Sequence, residues 1–128
     1  MFLRYALLAW LSAFLFTQVV EVPIYVALMR RAAGIGAAPP RHLAVQIILA
    51  TGASAITHPI VWFVIPLIEY DSYWTMVARA EAFAVIAEGV YFYTLKAFGL
   101  PRAMLFSLLA NASSAGLGFL SRALFGLP

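Results

Sequence analysis

The sequence predicts an all-α fold: a polytopic membrane protein whose four antiparallel transmembrane helices form one bundle. Three observations predict it. Hydrophobic residues make up 65% of the chain and charged residues only 10%, with a mean hydropathy of +0.97, whereas a soluble domain carries about 25% charged residues. The apolar residues fall into four runs, each longer than the roughly 20 residues that cross a hydrocarbon core. The breaks between runs are short and marked by Gly, Pro and Arg. Burial inside a soluble fold cannot absorb this composition, because a domain of this size hides only about two-thirds of its unfolded surface. The 128 residues form a single transmembrane domain, residues 1–128, with helices at about 2–29, 42–68, 72–98 and 101–125.

The first run, from Phe2 to Met29, is interrupted only by Arg4, Ser12, Thr17, Gln18, Glu21 and Pro23. A cleaved leader would end its apolar region after roughly 7–15 residues. Here the apolar character continues through Ile24 to Met29, so this run is read as the first transmembrane helix. Gly34, Gly36, Pro39 and Pro40 then make a loop, flanked by Arg30, Arg31 and Arg41. The second run carries His58-Pro59 near its middle and Pro66 near its end. The turn that follows is acidic and aromatic, from Glu69 through Asp71 to Trp74. The third run ends at Gly99, and Pro101 opens the fourth, as proline does at helix starts. Short connections make sequential helices antiparallel. The two halves show no alignable repeat.

Lys and Arg orient the chain. The first loop holds Arg30, Arg31 and Arg41 and the third holds Lys96 and Arg102, while the second holds only Glu69 and Asp71. The positive-inside rule then puts the first and third loops in the cytoplasm and both termini outside. The chain is read as a protein of a bacterial inner membrane. The net charge of +3 reflects these helix-end arginines. No basic patch or nucleic-acid motif accompanies it, so nucleic acid is not an expected partner. The absence of cysteine excludes disulfides, thiolate metal sites and thiol nucleophiles.

Candidate functional residues are those that lipid would reject. A carboxylate at membrane depth costs about 2.5–3.5 kcal/mol on insertion scales. Glu81 and Glu88 lie two helical turns apart, about 10.5 Å along one face, and that face must meet protein, water or an ion. Glu21 lies beside Pro23, with Gln18 one turn away on the same face. His58 precedes Pro59, which cannot donate to the carbonyl of Ala55. Tyr91 lies one turn from Glu88 and can reach it with its hydroxyl. Asn111, Ser113, Ser114, Gly116 and Gly118 have the small and hydroxyl character of tight membrane packing. Ser54, with His58 one turn on, has the residue types of a nucleophile and base, but its small neighbours are read as close packing. Counting about 1.5 Å per residue from each helix midpoint puts His58 and Glu81 in an outer layer. Glu21, Glu88 and Asn111 fall in an inner one.

Three functions fit. The first is a small transport or ion- or proton-conducting protein whose candidate site residues are Glu21, His58, Glu81, Glu88 and Asn111. The second is a structural or assembly subunit of a larger membrane complex. The third is a membrane-embedded enzyme with a metal or lipid substrate. No cofactor is predicted; a divalent metal, if held, would use His58, Glu81 and Glu88. Expected partners are the lipid bilayer and either further copies of the chain or other membrane subunits.

Overall fold

The computed structural model describes residues 2–33, 42–68 and 72–126. Among them the regular elements are all helices: α1 (Phe2–Ala33), α2 (Leu43–Phe63), the one-turn α3 (Ile65–Ile68), α4 (Tyr73–Thr94) and α5 (Leu100–Phe125). The loop residues read at 34–41 and at Glu69 and Asp71, Arg41 among them, lie outside the described residues. α1, α5 and α2 with α3 are long and apolar enough to cross a membrane. α4 spans 22 residues, about 33 Å. Every stretch of it long enough to count as a span contains Arg79, Glu81 and Glu88. It is the helix whose polar groups most need the others around it.

Helix ends differ from the sequence expectation in three places. α1 continues past Met29 to Ala33, because Arg30 and Arg31 are good helix formers and favour a helix C-terminus. The second run divides at Val64. Pro66 has no N–H to give the carbonyl of Trp62, and Leu67 instead donates to the Val64 carbonyl at 3.0 Å. The third helix stops at Thr94 rather than near Phe98. Lys96 there takes a left-handed conformation, φ 55°. Its N–H donates to the Tyr93 carbonyl, and the Ala97 N–H reaches back to that of Phe92, at 3.0 and 3.1 Å. Those two bonds, with Ala97 and Phe92 both buried, make a Schellman ending in which lysine stands where glycine is usual. Ser72 caps the start of α4, its Oγ accepting from the Thr75 N–H at 3.1 Å.

The helices form a ring. α1 packs against α2 and α5, and α4 packs against the same two, so α1 faces α4 across one diagonal and α2 faces α5 across the other. The ring is inside-out relative to a soluble bundle. Val19, Ile48, Trp74, Ile86 and Leu120 are among the large apolar side chains on the outer surface. Glu21, Gln46, Ser54, Thr57, Glu88, Ser107 and Asn111 are buried. Lipid is a good solvent for the first set and a poor one for the second. One end of the ring, where α1 and α4 finish and α2 and α5 begin, is filled by Tyr25, Met29, Ala50, Phe92, Phe98 and Ala103.

Candidate functional site

Glu21 on α1 and Glu88 on α4 lie on diagonal helices, and each is served by both flanking helices. Ser54 of α2 and Ser114 of α5 donate to Glu21, one to each carboxylate oxygen, both at 2.5 Å. Thr57 of α2 donates to Glu88 at 2.8 Å, and the Asn111 amide of α5 donates to it at 2.9 Å. A third donor to Glu88 crosses the bundle: the Tyr25 hydroxyl of α1, at 2.5 Å. Helix periodicity arranges this. Ser54 and Thr57, like Asn111 and Ser114, are three residues apart on one face. Each of these two helices therefore offers one group to the α1 acid and one to the α4 acid. Tyr25 is four residues beyond Glu21, so it shares that inward face. Its ring lies 4.6 Å from that of Phe92. Every donor is neutral, and among the described residues neither carboxylate enters an ion pair.

A cavity of about 200 Å³ opens on this pair, and Glu21, His58, Glu81, Glu88 and Asn111 all line it. A second cavity of about 390 Å³ lies toward the end of the bundle that carries Pro66, Tyr73 and Arg122. Val61, Trp62, Glu81, Ala115 and Gly118 line both. The two cavities adjoin at these five residues, Glu81 among them. The opposite end is closed by the apolar core.

The structure gathers the five candidate residues around one space, and the contacts within it differ from the sequence reading at several residues. His58 does not hydrogen-bond to Glu81. Its ring sits among Phe14, Trp62 and Trp10, at 5.3, 6.1 and 6.2 Å, and its Nδ1 has no partner among the described residues. The phenol on Glu88 is that of Tyr25, not Tyr91, whose hydroxyl points toward Gly52 on α2. Gln18, one turn from Glu21, makes no bond to it, and its amide atoms have no partner among the described residues. Asn111, a candidate site residue, and Ser114, read as a packing residue, both supply donors to the carboxylates. Ser54, considered as a nucleophile, is committed to Glu21. Thr57, Ser54, Ser114 and Tyr25 escaped notice as partners of the acids. Their signal was their helical spacing from Glu21, from each other and from Asn111.

Two chemical states suit this arrangement. Two uncompensated negative charges at this depth would each cost several kcal/mol. Protons on the acids or a cation between them remove that cost. Among the described residues no group of three or more His, Asp or Glu is close enough to hold a metal ion, so His58, Glu81 and Glu88 are not drawn together as a ligand set. No family model, curated protein or solved structure matches the chain.

Proposed function

We propose that the protein is a small membrane transporter that binds a cation or proton at the Glu21–Glu88 pair. The observation that carries this reading is the cavity: two deeply buried carboxylates line an internal space that adjoins a second cavity toward one end of the bundle, with an apolar plug at the other. A protein that used the carboxylates only to hold helices together has no need of an approach to them. The plug argues against a continuously open pore and for a site reached from one side at a time. By the positive-inside rule the open end faces outward, in a bacterial inner membrane. The site is bounded by the helices of one chain, so a second copy is not required to complete it.

The competing reading is an assembly subunit, and the observation favouring it is that Glu21 and Glu88 already have hydrogen-bond donors on both oxygens. Glu88→Gln separates the two. The amide keeps the shape and most of the bonds, so the stability change in detergent should be about 1 kcal/mol or less. In proteoliposomes the variant should carry no cation or proton flux while the parent protein does. A variant that folds and carries the parent's flux would defeat the transport reading and leave the assembly subunit.

A further inference from the structure

The donors of the two carboxylates obey a symmetry that the sequence conceals. Within the pair α1–α2, Ser54 donates to Glu21; within the pair α4–α5, Asn111 donates to Glu88. Across the pairs, Ser114 donates to Glu21 and Thr57 donates to Glu88. One shift along the chain carries Ser54 onto Asn111 and Thr57 onto Ser114. The same shift carries the other buried positions of α2, Gln46, Ala50 and Ala53, onto Ala103, Ser107 and Ala110, all buried on α5. A second shift carries Glu21 onto Glu88 and Tyr25 onto Phe92, the two rings that meet. The shifts differ because α1 runs further beyond Glu21, and its connection to α2 is longer, than α4 beyond Glu88. The ring order of the helices is the one a two-fold axis along the bundle requires.

We infer that the chain is one helical hairpin used twice, α1–α2 and α4–α5. We further infer that the closed end of the site opens when one hairpin rocks against the other about the level of Glu21 and Glu88. Parallel repeats related by an axis along the membrane normal, with the site at their interface, are an established way to build alternating access. This inference rests on the transport reading and specifies how the same site is exposed to the second side.

Packing supports rocking between hairpins rather than within them. Inside the second hairpin, Gly89 lets α5 approach closely: a Cβ there would lie 2.5 Å from Met104 Sδ and 3.3 Å from its Cα. Between hairpins the glycine contacts are with the far ends of side chains. A Cβ on Gly52 would meet the Tyr91 hydroxyl at 2.7 Å, and one on Gly118 would meet Phe16 Cε1 at 3.9 Å. Side-chain tips can slide where interlocked backbones cannot.

The test uses the absence of native cysteine. Single cysteines are placed at two equivalent pairs in the full chain: Val61→Cys with Gly118→Cys on the cavity wall, and Ala50→Cys with Ser107→Cys in the closed end. A membrane-impermeant maleimide is applied to either face of proteoliposomes during imposed cation or proton gradients. Both wall positions should label from the open face. Both plug positions should label from the opposite face, several-fold faster when the gradient favours opening there, as wall labelling falls. Plug positions that stay unlabelled while transport proceeds overturn the inference and leave the transport reading standing. So does a response in one member of a pair but not its mate. Absence of flux in the parent protein defeats the transport reading instead.

A second measurement needs no flux. Ser54→Asn and Asn111→Ser each change the volume between the carboxylates, whereas the double exchange restores the total and keeps one donor of each kind. The double variant should recover most of the thermal stability in detergent that the single ones lose. Losses that merely add would overturn the equivalence of the two hairpins.

Discussion

Tyr25 shows how much depends on single atoms at the centre of the bundle. Its hydroxyl donates across the bundle from α1 to α4, and its counterpart on the other hairpin is Phe92, which has no hydroxyl. Glu88 therefore accepts from three side chains and Glu21 from two. Tyr25→Phe removes that difference together with the hydroxyl's bond to Ser107, and keeps the ring that packs on Phe92. The expected loss is about 0.6 kcal/mol per bond, the mean inside a membrane bundle, and no more than about 1.7 for either. Reversible unfolding in mixed micelles would read it. A loss of several kcal/mol would mean that the phenol carries the bundle rather than completing a network. His58 makes the opposite point. Its type and its place before Pro59 suggest proton or metal chemistry, yet its ring is packed among three aromatic side chains.

At the scale of elements, the end of α4 is the informative one. The run of apolar residues continues to Phe98, so hydropathy alone extends the helix. The chain instead turns at Lys96, whose φ of 55° is unfavourable for a side chain bearing a Cβ. The turn persists because it lets Ala97 and Phe98 fold back into the core. Lys96→Gly should therefore stabilise the protein by about 0.5–1 kcal/mol, since glycine adopts this conformation without the Cβ clash. A raised unfolding midpoint in detergent would confirm it, and a lowered one would mean that the lysine side chain makes compensating contacts. The corresponding ending of α5 already uses Gly126, φ 64°.

For the whole molecule, the distribution of polarity decides the solvent. The outer surface carries leucine, isoleucine and valine while the carboxylates lie at the centre, the reverse of a soluble bundle. The proposed orientation rests on the Lys and Arg of the loops and is open to test. Reporter fusions after Gly99 should read cytoplasmic, and fusions after Ser72 should read external, as the positive-inside rule requires. Both reporting the same side would contradict an antiparallel passage of α4 and the outward assignment of the open end.

The class of fold and its solvent were legible in the sequence, because composition and run length act locally and each run alone exceeds the bilayer core. So was the list of polar residues that lipid would exclude: Glu21, His58, Glu81, Glu88 and Asn111 stand out by their cost at that depth. Which of them meet was not legible. That depends on how four helices rotate about their own axes, and a rotation is set by all the packed faces together rather than by any one stretch. The tertiary structure turned Tyr25 rather than Tyr91 toward Glu88, gave Ser54 and Ser114 to Glu21, and put His58 among aromatic rings. It also exposed the hairpin symmetry. A repeat of this kind survives in burial and hydrogen bonding, where Ser54 answers to Asn111 and Thr57 to Ser114, because geometry constrains the position and only loosely the side chain that fills it.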